Sequence, residues 1–161
     1  MVFGRSRHKP SGHWVQFTGL FNVAGVQFRR AEASTFVSLV RRAERKGWTY
    51  GLGLEPEPDD IHDPCAIKVY GISQWKGLFG PLRTERAWIG YLPRDEATSV
   101  HRELVAKDLP FEAELYSIYV SARGFIDIKM LVLGPGGTSA SARTRREKRA
   151  SAENINAPDR F

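Results

Sequence analysis

With 161 residues, 42% of them hydrophobic and 26% charged, the chain is long enough for one domain with a core of its own. The formal net charge is +6 and the isoelectric point 9.7, which points toward an anionic partner. No apolar stretch approaches the ~20 residues needed to span a bilayer, the basic start MVFGRSRHKPSGHW lacks a signal peptide's apolar run, and the single cysteine, Cys65, excludes an intrachain disulfide. The expectation is a cytoplasmic protein with no membrane partner.

The charge is unevenly placed. Residues 1–13 carry Arg5, Arg7 and Lys9 and no acid. Residues 138–161 carry Arg143, Arg145, Arg146, Lys148, Arg149 and Arg160 against Glu147, Glu153 and Asp159. Taking these from the totals of 24 basic and 18 acidic residues leaves 15 of each in residues 14–137, so the folded part is neutral and the excess sits at the ends. The domain reading is a disordered basic tail over 1–13, a folded domain over 14–137 and a second disordered basic tail over 138–161. Such tails attract any polyanion through counterion release, or serve as solubilising ends.

In chain order, HWVQFTGLFNVAGVQF (13–28) reads as two short strands around Gly19 and Asn22. In AEASTFVSLVRRAERKG, Phe36, Leu39, Val40 and Ala43 fall at helical spacing, cations fill the last turns, and Gly47 is placed to cap, which predicts a helix over 32–46. WTYGLGLEPEP (48–58) reads as a strand running into a proline-limited loop, and AIKVYGI (66–72) as a buried strand. Turn signals in SQWKGLFGPLRTER (73–86) predict an inserted loop. AWIGYL (87–92) is a strand, Pro93 starts a second helix, and Pro110 stops it. FEAELYSIYVS and GFIDIKMLVL form a hairpin turning at Ala122–Gly124. About six strands and two helices make a mainly β, small α+β or barrel-like domain.

The stretch EPDDIHDPCAIKVY (57–70) crowds acids, a histidine and Cys65 ahead of an apolar run. A thiol nucleophile needs a base, and His62 or His101 could serve, but Cys65 opens a packed strand and reads as a buried residue. His62-x-x-Cys65 is half a zinc site without a second half. The acids lack the order of a calcium loop, and no phosphate-cradling glycine loop is present. Pro58-Asp59-Asp60 and Asp63-Pro64 are turn chemistry, in which Asp side chains accept from nearby backbone N–H groups. No cofactor is expected. Binding is what remains. Phe28-Arg29-Arg30 ends one strand and Tyr91-Leu92-Pro93-Arg94 another, and aromatics stack on unpaired bases while arginines meet phosphate. Taken singly, each of these residues also fits a core aromatic or a solvated cation.

Together, AGVQFRR (24–30), LEPEPDDIHDPCAIKV (54–69) and IGYLPRDEA (89–97), in that order, resemble the HIRAN domain family over about residues 17–133. The second and third segments are the specific ones. The resemblance implies a small β-barrel of the OB or SH3-like kind with one or two helices. It also implies capture of single-stranded DNA at its 3′ end, as in the eukaryotic fork-remodelling proteins that carry the domain beside a helicase-like ATPase. There two aromatics clamp the terminal base, an aspartate takes the 3′-hydroxyl and a basic residue meets phosphate. By motif position, Phe28 is one clamp and His62 falls at the second, where an aromatic Tyr or Phe is usual. Asp63 is the hydroxyl acceptor and Arg94 the phosphate contact. Asp60 stands where the family often has Asn, and Gln27 where fork-remodelling members have Arg. With Arg29 and Tyr91 these complete the candidate DNA-binding set.

Three readings follow. The first is a non-enzymatic module for single-stranded DNA or DNA 3′ ends, in repair or replication-fork processing. The second is an adaptor that recruits a helicase or nuclease. The third is a metal-dependent hydrolase acting on nucleic acid through the acidic loop.

Overall fold

The computed structural model describes residues 1–4 and 11–155. Among the described residues eight strands form two antiparallel sheets. β4 (Tyr50–Pro56), β5 (Ile67–Lys76) and β6 (Leu82–Tyr91) make a three-stranded sheet in that order. β1 (Val2–Phe3), β7 (Glu112–Val120), β8 (Ile126–Pro135) and β2 (Trp14–Gln16) make the other, and β3 (Phe21–Asn22) also pairs with β8. α1 (Arg30–Lys46) packs across β5 and β6. α2 (Arg94–Glu103) follows β6, and α3 (Ala140–Ile155) follows β8.

The core lies between the sheets and beneath the first two helices. Phe36 and Val40 of α1 meet Ile67 and Val69 of β5, Ile89 of β6, and Ile118, Ile128 and Val132 of the β7–β8 hairpin, all fully buried. Burying each such side chain contributes about 1.5–3 kcal/mol. The Phe36 ring lies where a side chain on residue 71 would stand, so Gly71 makes room for it. α1 ends as its sequence predicts, with Gly47 at φ 68° and its N–H bonded to the carbonyl of Ala43.

Several expectations are corrected. Residues 73–86 are not an inserted loop: β5 and β6 run through them as a long hairpin, from the Ser73–Glu85 pair out to Lys76–Leu82. Residues 82–86 are all exposed, so no hydrophobic alternation marks the strand. Phe28 does not end a strand. Gly25 takes φ 77°, and Val26–Arg29 curl into a 3-10 turn leading directly into α1.

The helices number three among the described residues. α3 falls in the segment read as a disordered tail. Its Ala- and Arg-rich sequence has high intrinsic helix propensity, Ser139 Oγ accepts from the Ala142 N–H at 3.4 Å, and Arg143 donates to the Phe17 carbonyl at 3.1 Å. In the N-terminal segment also read as a tail, Val2 and Phe3 pair with Tyr119 and Ile118 of β7, and the Gly4 N–H donates to Glu44 Oε1. Residues 5–10 and 156–161 of those segments lie outside the described residues. The strands lie in two antiparallel sheets.

Candidate nucleic-acid interface

Three segments converge where β6 ends: the 25–29 turn, the 57–66 loop and the start of α2. Ala24 and Tyr91 exchange backbone hydrogen bonds of 2.8 and 2.9 Å, and Leu92 donates to the Ile67 carbonyl at 3.0 Å. The approach is so close that a Cβ on residue 90 would collide with the Ala24 carbonyl oxygen, so only glycine fits there. The same place carries a β-bulge. Val69 pairs with Gly90 and Tyr70 with Trp88, leaving Ile89 as the extra residue. Ile89 points into the core. The bulge resets the alternation, so Trp88 and Tyr91, three apart, share the outward face with their partners Tyr70 and Lys68.

On that face Trp88 is enclosed by cations and an aromatic edge. The Arg29 guanidinium lies over its ring at 3.1 Å from the centroid, Lys68 Nζ at 4.5 Å, and Tyr91 meets it edge-on at 5.4 Å. Glu57 binds the cluster together, accepting from Lys68 at 2.5 Å and from the Tyr91 hydroxyl at 3.0 Å. The bond to Glu57 raises the Lys68 pKa above its ordinary value. Burial first, then the bond to Glu57, raises that of Tyr91.

The acidic loop is built as turn chemistry. The Asp60 N–H donates to the Glu57 carbonyl, and Asp60 Oδ1 accepts from the N–H groups of His62 at 2.8 Å and Asp63 at 3.0 Å. Those two N–H groups, His62's foremost, lower the Asp60 pKa. Asp63 Oδ1 accepts from the Cys65 N–H at 3.0 Å. Its second oxygen, Oδ2, faces Arg94 Nε at 3.8 Å. The Arg94 side chain is 78% exposed and that of Asp63 28%. Phe28 is 95% exposed on its turn, and Ile61 and His62 are exposed at the loop tip.

The predicted residues thus divide. Asp60, His62, Asp63 and Arg94 come together through the loop, and Arg29 and Tyr91 through Trp88. Tyr91 has its hydroxyl engaged by Glu57 and its ring against Trp88. Gln27 Nε2 donates to the Ile126 carbonyl at 2.8 Å and ties the turn to β8. Sequence reasoning gave no role to Trp88, Lys68 or Glu57. The β4–β5 pairing brings Glu57 to Lys68, and only the bulge adds Trp88 beside Tyr91, which no periodicity announces. Among the described residues no group of three or more His, Cys, Asp or Glu side chains is placed to hold a metal ion. No helix among them is long and apolar enough to cross a membrane.

Compared with protein-family profiles, curated proteins and solved structures, the chain matches none.

Proposed function

We propose that this chain is a non-enzymatic nucleic-acid-binding module that grips single-stranded DNA at its 3′-hydroxyl end, on a partly open OB/SH3-like barrel of the HIRAN kind. The Ala24–Tyr91 bridge at one seam between the sheets, and β4 lying along β7 at the other, support the barrel reading.

The observation that carries the function is the Asp63–Arg94 pair. One carboxylate oxygen is fixed by its own loop, while the other stands beside a guanidinium that is nearly all in solvent. At 3.8 Å and largely exposed, such a pair contributes little to stability, about 0–1 kcal/mol. It suits a nucleotide end: the carboxylate accepts from a hydroxyl and repels a terminal phosphate, and the arginine takes the preceding phosphodiester. Phe28 and His62 supply exposed rings for stacking.

A second reading, an adaptor that recruits a helicase or nuclease, draws on the β5–β6 hairpin tip. Leu78 and Phe79 are 86% and 97% exposed there.

The test is fluorescence anisotropy with the full chain, because a fragment of 14–137 would lose β1 and α3. The ligands are a short strand ending in 3′-OH, the same strand ending in 3′-phosphate, and a blunt duplex. The expected result is tightest binding to the 3′-OH strand. Asp63→Asn keeps the Oδ1 acceptor for Cys65 but removes the charge, and it should erase the discrimination against 3′-phosphate. Equal binding to all three ligands would overturn the end-reading and leave the adaptor.

A further inference from the structure

The three-stranded sheet carries a second set of stacked pairs beyond the loop. Going outward along β6 from Trp88, the next residues on the same face are Arg86, Thr84 and Leu82, and their partners on β5 are Ile72, Gln74 and Lys76. The Arg86 guanidinium lies over the Tyr70 ring at 3.6 Å from its centroid and meets Glu55 Oε2 at 2.6 Å. Its side chain is 48% exposed, so the face turned away from Tyr70 is open to solvent. Across β5 from this row, β4 presents Gly51 opposite Ile72 and Gly53 opposite Tyr70. A Cβ on residue 53 would come within 2.8 Å of Ile72 Cδ1, so the glycine keeps the floor low. Gly51, Gly53, Ile72, Gln74 and Thr84 line a cleft of about 470 Å³, closed on the β7 side by Glu112.

Aromatic rings layered with guanidinium groups on an open sheet face, next to a low glycine floor and amide and hydroxyl side chains, match what an unpaired nucleotide chain requires. Bases stack on rings and on guanidinium planes alike, and the N–H edge of a stacked arginine stays available to phosphate. The carboxylate partner of Arg86 does not preclude this, since exposed ion pairs exchange readily. From Trp88 to Leu82 the row runs roughly 20 Å at about 3.3 Å per residue, room for several nucleotides.

We infer that the outer face of β4–β5–β6, from Trp88 through Tyr70 and Arg86 to the Gly53 cleft, is a stacking track for the nucleotides that precede the captured end. This rests on the single-strand reading above. It adds a second site with a different dependence: the loop reads the end group, and the sheet reads length.

The test uses the full chain and strands of about three and about twelve nucleotides, each prepared with a 3′-OH and with a 3′-phosphate end, a range that brackets single-strand site sizes on small barrels. The longer strand should bind at least about tenfold tighter. Tyr70→Ala and Arg86→Gln should each weaken the longer strand by about tenfold, the scale of one lost base stack, and leave the shorter one unchanged. Arg86→Gln alters an exposed side chain and keeps the fold, and retained binding of the short strand certifies Tyr70→Ala as folded. Equal affinity for the two strands, or full affinity of Arg86→Gln for the longer one, overturns the track. If the longer strand loses affinity in both variants but neither strand distinguishes 3′-OH from 3′-phosphate, the track stands and the end-reading falls. Binding of neither strand overturns both.

Discussion

The Arg29 guanidinium sits 3.1 Å from the centroid of the Trp88 ring, joining the turn that precedes α1 to the outward face of β6. Glu32 stands 3.7 Å from the same guanidinium, so the cation also has a carboxylate partner. Cation–π contacts contribute about 0.5–1 kcal/mol when exposed and about 2 when desolvated, with arginine adding planar stacking. Arg29→Ala should therefore lower unfolding free energy by about 1 kcal/mol in urea titration. Arg29→Lys should recover less than half of that, because an ammonium cannot lie flat on the ring.

Gly90 carries the same junction from beneath. A methyl group there would overlap the carbonyl oxygen of Ala24, a backbone atom that cannot step aside without breaking its reciprocal bonds to Tyr91. Gly90→Ala should destabilise by about 2–3 kcal/mol, the upper range for an overpacked site. It should also separate the 25–29 turn from β6. The measurement is thermal unfolding beside amide exchange at Ala24 and Tyr91. An exchange rate unchanged at both positions would refute the assignment.

Much of this architecture could be read in the residues. α1 declares itself through Phe36, Val40 and Ala43 at helical spacing and through Gly47, and the β7–β8 hairpin through long apolar runs around a Gly-containing turn. These elements each have one face in water and one in the core, and that contrast is what a pattern records. The outer half of the β5–β6 hairpin has no such contrast, because residues 82–86 are exposed on both faces. Composition alone made 140–155 look like a tail, since a basic segment suits disorder and helix equally until Arg143 finds the Phe17 carbonyl and ring. Within the site, the aspartates of the 57–66 loop were legible as turn-formers because their bonds are local. Trp88 was not, because its place beside Tyr91 and Lys68 depends on one bulged residue, Ile89.

The same locality makes the loop sensitive to acid. Asp60 has its pKa lowered from the ordinary 3.8, chiefly by the N–H groups of His62 and Asp63. A carboxylate with a depressed folded pKa adds stability that is present above the unfolded value and lost as pH falls through the folded one. Protection of the His62 and Asp63 amides should therefore hold from neutral pH down to about 4 and disappear below the depressed value. Asp60→Ala should abolish that protection at every pH, while Asp60→Asn, which keeps the acceptor oxygen, should preserve most of it and remove the acid step. Hydrogen exchange read by NMR decides it, and an acid step persisting in Asp60→Asn would assign the titration to another group.

Phe28 separates stability from recognition more cleanly than any other residue of the site. At 95% exposed it buries almost nothing, so Phe28→Ala should shift unfolding free energy by no more than about 0.5 kcal/mol. The ring, left in water on a short turn between Gly25 and α1, is open to a stacking partner. If that is the terminal base, the same substitution should weaken a 3′-OH strand by about 1–3 kcal/mol, the range for one stacked base. Phe28→Tyr should restore binding, since either ring offers a π-face. Anisotropy titration and urea unfolding on the same three proteins test both halves. Unchanged DNA affinity in Phe28→Ala, with stability also unchanged, would remove the ring from the DNA site and turn attention to a protein partner for it.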